Sequence, residues 1–268
     1  VAISSRIVTF LTCIGAVLSA PTFAETVTVG GVGSLTPLVQ KLVDDYSKKT
    51  PGVEIVVMNP PIGTKGGIRA LAAGKVDILL SGRELKPEEA AQSVPWVKTA
   101  LVLATNGGKQ KGFTRTQLAN VYAGRQKNWD NSQPIRLVLR GEQETETRDL
   151  RLMSPELDAV VATALKRSDL PIAENDLDAL EALTKIPGSF GTTSQGLLTA
   201  SGSKLTVVPI DGLKPTLKAV DEGSYPWHRH YVLGTTKTPS PAAAAFFAWL
   251  NSAPALAAAR KLDYVPAK

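Results

Sequence analysis

Between Glu25 and Leu80 the chain alternates strand-sized and helix-sized segments, and this constrains its fold more than any other feature. Residues 25–30 (ETVTVG) alternate polar and apolar, as one strand does. Residues 38–48 place Leu38, Val39, Leu42, Val43 and Tyr46 at helical spacing. A second strand follows at 53–58 (VEIVVM), a short helix at 68–73 closed by Gly74, and a third strand at 76–80 (VDILL). Strand–helix–strand–helix–strand order predicts a parallel, doubly wound α/β sheet. Further strands are expected at 100–105, 135–139, 188–192, 205–210 and 231–234. Helices are expected at 116–122, 144–153, 155–166, 177–185, 242–251 and 254–261. The alternation divides into two α/β lobes, each a doubly wound sheet flanked by helices. Residues 25–104 with 232–268 form the first lobe, and 105–231 are inserted as the second. The chain is expected to cross near Thr105 and near Tyr231, and a cleft between such lobes suits a small ligand.

The first 24 residues do not fit this scheme. Arg6 precedes an apolar run from Ile7 to Ala20, then Pro21 and the small-residue exit Thr22-Phe23-Ala24, the pattern of a secretory signal peptide. The run is short for a membrane span of about 20 residues, and an uncleaved anchor is the alternative reading. No later segment is apolar over that length, so an exported, soluble periplasmic protein is expected. The single cysteine, Cys13, lies inside this leader, which removes cysteine nucleophiles, cysteine-ligated metals and disulfides from the rest of the chain. The formal net charge of +6 favours an anionic partner, but the Lys and Arg residues are scattered rather than grouped into a nucleic-acid groove.

Three loops share one design. Gly30-Gly31-Val32-Gly33-Ser34 precedes the first helix and Ile62-Gly63-Thr64-Lys65-Gly66-Gly67 the second; residues 140–147 join a strand to a helix in the second lobe. Glycine permits close approach of backbone to ligand, and a helix start offers unpaired N–H groups to an anion. Ser34 and Thr64 add hydroxyl donors. Arg140 stands at a strand end, where it either faces the cleft or pairs on the surface with Glu142 or Glu144. Glu144 and Glu146 sit where acids complement a helix dipole.

In order and spacing these blocks resemble the phosphate-binding proteins of ABC-type phosphate importers, over nearly all the chain after residue 24. The loop at Ile62-Gly63-Thr64-Lys65-Gly66-Gly67 is similar to that family's Ile-Gly-Ser-Gly-Gly-Gly turn, and Gly74-Lys75-Val76-Asp77 to its Gly-x-Val-Asp strand entry. Leu118-Ala119-Asn120-Val121-Tyr122-Ala123-Gly124 with Asn128-Trp129, Pro187-Gly188-Ser189-Phe190-Gly191, and Tyr264-Val265-Pro266 resemble three further signatures. The resemblance implies a type II periplasmic-binding-protein fold, a monomer working with an inner-membrane ABC permease, and no cofactor. It places Ser34, Leu35, Thr64 and Arg140 against the ligand, with Arg83, Glu142, Thr145 and Thr147 completing the expected set. Two positions depart from the pattern. Gly82, followed by Arg83, stands where the family has an Asp that accepts the phosphate proton, and acids replace the family's Ser-Gly-Thr after Arg140, leaving Glu142 to orient that arginine. Without an acceptor at Gly82 the site is expected to tolerate fully deprotonated or larger anions, unless Glu142, Glu144 or Glu146 supplies one from the opposite lobe.

Competing readings stay open at this point. The same fold serves ligand-sensing partners of membrane receptors or histidine kinases. An enzyme is not expected, because no nucleophile elbow, paired metal ligands or cofactor loop is present. His228 and His230 alternate onto one strand face but have no evident third ligand, so no metal is expected. Trp129 and Trp249 are expected to pack rather than to stack on a ligand.

Overall fold

The computed structural model describes residues 25–267; the expected signal peptide at 1–24 lies outside them. The first lobe opens as expected: β1 (Glu25–Gly31), α1 (Thr36–Ser47), β2 (Val53–Val57), α2 (Gly63–Ala72) and β3 (Ile78–Ser81). β1 pairs in parallel with both β2 and β3. α2 starts five residues before the expected helix. The glycines read as a turn form its first turns, since an added Cβ on Gly67 would lie 2.4 Å from Leu79 Cδ1 and 3.2 Å from the Gly31 Cα. Glycine here lets the helix lie directly on the sheet.

β4 (Gln92–Thr105) is far longer than the segment legible in the sequence. Its first half carries Pro95 and polar residues, and it holds together through a register shift opposite Tyr231 and Val232, which leaves Trp96 without a partner on β10. The second lobe contains α3 (Arg115–Tyr122), β5 (Arg136–Leu137), β6 (Leu139–Arg140), α4 (Thr145–Arg151), α5 (Pro155–Ala164), β7 (Ile172–Ala173), α6 (Asp176–Lys185), β8 (Ser189–Ser194), α7 (Gln195–Ala200), β9 (Thr206–Val208) and α8 (Leu217–Glu222). The chain closes with β10 (His228–Thr235), α9 (Pro241–Leu250), α10 (Ala253–Arg260) and β11 (Val265–Pro266). The strand expected at 135–139 is two short ones, because β5 pairs with β8 while β6 pairs with β7.

The strand order is β2-β1-β3-β10-β4-β8-β5, with β9 and β11 also paired to β4. The two lobes' sheets therefore meet on one shared strand. β4 changes partners from β10 to β8 between Ala100 and Leu101, rather than at Thr105. The return falls at Trp227, whose carbonyl accepts from the Leu101 amide, rather than at Tyr231. Each half has its own apolar core. One joins Val27, Leu38, Leu42, Trp96, Phe246 and Tyr264; the other joins Leu103, Phe113, Trp129, Leu157 and Phe190. Trp129 packs edge-on against Phe190 and donates to the Gly188 carbonyl at 3.0 Å, while Trp249 packs on Tyr46 and Phe246. Among the described residues no single helix is long and apolar enough to cross a membrane.

Tyr264 ties the chain end to the first helix, its hydroxyl donating to the Ser34 carbonyl at 2.9 Å. Gly196 makes room for it: a Cβ there would lie 2.3 Å from the Tyr264 ring. The ring is fully buried and cannot yield. Gly196→Ala should therefore destabilise the protein by about 1–3 kcal/mol, the usual cost of overpacking, as a lower urea midpoint at unchanged slope.

Candidate functional site

The three loops singled out in the sequence come together. Val32, Gly33, Ile62, Gly63, Thr64 and Lys65 of the first lobe face Arg140 and the stretch from Glu142 to Glu146 of the second, around a cavity of about 630 Å³. Arg229, from β10, also lines it. At its floor lie four charged side chains removed from solvent: Arg140, Glu146, Asp176 and Arg229 are 3%, 3%, 7% and 2% exposed. Each comes from a different element: the end of β6, the first turn of α4, the start of α6, and β10.

Their contacts form one network. Arg229 Nη1 pairs with Glu146 Oε1 and lies 3.4 Å from Asp176 Oδ1, so two carboxylates share one nitrogen. Arg140 donates to the Ala173 carbonyl at 2.8 Å and to Glu144 at 3.0 Å, and its Nε is 3.7 Å from Glu146, too far for a hydrogen bond. Arg229 also lies over the Tyr231 ring, 5.2 Å from its centre. Around this network Ser34 Oγ, Tyr231 Oη, Arg140 Nε and Arg229 Nε are buried and have no hydrogen-bond partner among the described residues. All of them are able to donate. Unmet donors in a buried place are costly unless something else accepts from them.

Burial pushes the Glu146 carboxyl up to about 8, with neighbouring Asp176 adding to the rise and Arg229 opposing it. Burial also works to raise Asp176, but Glu146, Arg229, Arg140 and the Ser34 amide outweigh it and hold Asp176 low, at about 2. Burial and the neighbouring carboxylate thus push Glu146 towards its protonated form, while the surrounding cations and donors favour ionised Asp176. Burial opposes the Arg229 charge as well, and Glu146, Asp176 and Asp149 more than offset this.

The expected site residues separate into two groups. Thr64 lines the cavity, and its hydroxyl accepts from the Gly82 amide at 3.0 Å, which leaves its own proton to donate. Thr145 and Arg140 line the cavity too. Ser34 is fully buried at the start of the first helix. Leu35 is different: its side chain lies in the first lobe's core, so only its backbone could serve a ligand. The Thr147 hydroxyl is spent on the Arg140 carbonyl at 3.0 Å. Glu142 is exposed and lies 3.5 Å from Arg151, not beside Arg140; Glu144 and Glu146 flank that arginine instead. Arg83 borders the cavity, yet its guanidinium is clamped by both oxygens of Glu89 at 2.7 Å and does not add a free charge.

Arg229, Asp176 and Tyr231 were not among the expected residues. Arg229 did leave a signal, because alternation puts it on one strand face with the apolar positions Tyr231 and Leu233. Asp176 reads as an ordinary helix-start acid. In fact Asn175 performs that capping, accepting from the Leu177 and Asp178 amides, which frees Asp176 to turn inward. Gly82 carries no acceptor, but carboxylates reach its neighbourhood from the second lobe. A Cβ on Gly82 would lie 3.5 Å from Arg229 Nη2, and that arginine's partners are Glu146 and Asp176. His228 and His230 stack edge-on at 4.7 Å, and the described residues contain no cluster of three or more His, Cys, Asp or Glu side chains able to hold a metal.

A two-lobed α/β body with a charged cleft between its halves is the architecture of a solute-binding protein. The chain belongs to the PBP superfamily, whose domain matches residues 18–254. It is 33% identical over 106 residues to phosphate-binding protein PstS 2 of Streptococcus pneumoniae, covering 38% of this chain and 35% of that one. It is 26% identical over 217 residues to phosphate-binding protein PstS of Bacillus subtilis, covering 74% of this chain and 66% of that one. The chain thus spans about a third of the length of the first of these relatives. Its fold matches a putative phosphate ABC transporter substrate-binding protein from Clostridium perfringens with a TM-score of 0.73 at 22% identity, over 91% of this chain and 100% of that one.

The Glu146 carboxyl gives the site a pH signature. A group whose folded pKa is raised contributes stability that is present below its unfolded value and lost as pH rises through the folded one. Stability should therefore fall as pH climbs from about 4.5 towards 8, the ordinary and the raised values. Glu146→Gln keeps the shape and removes the titration. Melting curves from pH 5 to 9 should show this part of the slope in the unmodified protein and not in the variant.

Proposed function

We propose that this protein is a periplasmic solute-binding protein that captures a phosphate-type oxyanion between its lobes and delivers it to an inner-membrane ABC permease, without catalysing a reaction. The observation that carries this reading is the pair of buried guanidinium groups, Arg140 and Arg229, whose Nε atoms lack partners among the described residues, beside the start of α1 and Thr64 at the start of α2. Buried cations with spare donors, facing the positive ends of two helices, form an environment in which an oxyanion is stabilised by short charge-assisted hydrogen bonds. The phosphate-binding names of the relatives from Streptococcus pneumoniae and Bacillus subtilis agree with this chemistry. So does the Clostridium perfringens protein, whose crystal structure contains bound phosphate. Ser34 and Thr64 supply hydroxyl donors and Thr145 lines the facing wall, whereas Leu35 contributes through its backbone only. Export by the N-terminal leader and action as a monomer belong to the same reading.

The lobes close about the two crossings at Ala100–Leu101 and Trp227–His228, so the site is assembled from both sides. Arg140→Ala removes one of the two cations and should weaken binding of inorganic phosphate by about 10- to 100-fold, since a hydrogen bond to a charged group is worth about 1.5–3 kcal/mol. Titration calorimetry on the unmodified and variant proteins checks this. Equal affinity with an intact fold would remove Arg140 from the site.

A further inference from the structure

One carboxylate already stands where the anion is expected. Asp176 comes from the second lobe, yet a Cβ added to Gly33 of the first lobe would lie 3.3 Å from both its Cβ and its Oδ2. Its other oxygen is 3.4 Å from Arg229 Nη1, and the Ser34 amide helps to hold it ionised. A single side chain therefore reaches across the cleft to the backbone at the start of α1 and to one of the two buried cations. It is not needed to cap its own helix, which Asn175 does. Resting on the oxyanion-binding reading, we propose that Asp176 is a tethered occupant of the oxyanion subsite, holding the empty cleft closed until a free oxyanion displaces it.

The chemistry is that of competition between like groups. A carboxylate and an oxyanion both offer negatively charged oxygens to N–H donors, so they exclude each other from the same ones. The Asp176 carboxylate is covalently attached at high local concentration, and any free anion must outcompete it. Groups facing Asp176 from the surrounding elements are Glu146 on α4, Arg140 on β6, Arg229 on β10 and the Ser34 amide ahead of α1. Three of these are donors that a displacing anion would inherit. Glu146 would remain and repel it unless protonated. Asp176 thus lowers apparent affinity and raises the threshold for weakly held anions, so that the cleft opens for strong oxyanion ligands only.

The test uses the full folded protein, freed of phosphate, with Asp176→Asn as the isosteric uncharged variant and Asp176→Ser as a second should the first fail to fold. Small-angle scattering without ligand reads the latch directly, and calorimetry with inorganic phosphate and with sulfate reads the competition. The expected result is a larger radius of gyration for the ligand-free variant, and phosphate binding at least tenfold tighter than in the unmodified protein. Sulfate should gain by a similar factor. Phosphate affinity that is unchanged or reduced in the variant overturns the proposal, whatever scattering shows, because Asp176 would then support the site rather than block it. If neither protein binds either anion, scattering decides. Opening of the variant would keep the latch while the oxyanion reading fails, and equal radii would end both.

Discussion

Everything around the cleft depends on how four buried charges are balanced. Arg140, Glu146, Asp176 and Arg229 have been taken out of water, and that costs several kcal/mol per ion unless partners replace the lost hydration. They replace it for one another. Because each is mounted on a different element, the balance is reached only when β6, α4, α6 and β10 all stand in their observed places. β10 is the central member, hydrogen-bonded to β3 on one side and to β4 on the other, so Arg229 is anchored in the first lobe. Its partners come from the second. The same ion pairs that satisfy Arg229 therefore join the two halves beside the cleft, and apolar packing of Val265 with Leu198 and Val220, and of Tyr264 on Gly196, joins them away from it.

Much of the fold could be read from the sequence, because period-2 and period-3.6 patterns report which face of an element is buried. Every one of the three opening strands and both opening helices lies where the pattern puts it, to within a few residues at most ends. The failures have physical causes. The first half of β4 is interrupted by Pro95 and by polar residues, and a bulge absorbs what the pattern treats as a break. The glycines of α2 look like a turn because they are usually placed for backbone freedom, whereas here they serve close packing against Leu79 and Gly31. Short elements such as β7, β11 and α8 carry too few residues to show a period.

The site was only half legible, for a different reason. The loops beside the helix starts are local features, and Thr64, Thr145 and Arg140 line the cavity they enclose. What local sequence cannot report is how long side chains choose among partners. Arg83 has a cavity on one side and Glu89 on the other, and two 2.7 Å contacts to one carboxylate win. Glu142 is next but one to Arg140 in sequence, yet Glu144 and Glu146 lie closer to it because they stand at the turn and helix start that face back over β6. Asp176 and Arg229 are 53 residues apart, and their meeting is a property of lobe closure that no segment contains.

Charge conservation then decides what the cleft can accept. When Glu146 is protonated, the form its burial favours, the quartet carries two positive charges and one negative charge, an excess of one. Losing that proton would bring it to zero, so the buried carboxyl controls whether the empty site is attractive or neutral to an anion. A doubly charged oxyanion that enters while Asp176 stays would turn that single positive excess into a single negative one, which low-polarity surroundings penalise heavily. If Asp176 swings out to water instead, one anionic group replaces another and the balance changes only by the difference in their charges. Closure is then nearly as favourable without ligand as with it, and the ligand gains only its differential affinity over a tethered carboxylate. A free anion pays translational entropy that the tethered one does not. To prevail, it has to offer more acceptor oxygens to the cavity-lining Arg140 and Arg229, whose Nε atoms have no partner among the described residues, than a carboxylate with two oxygens can reach.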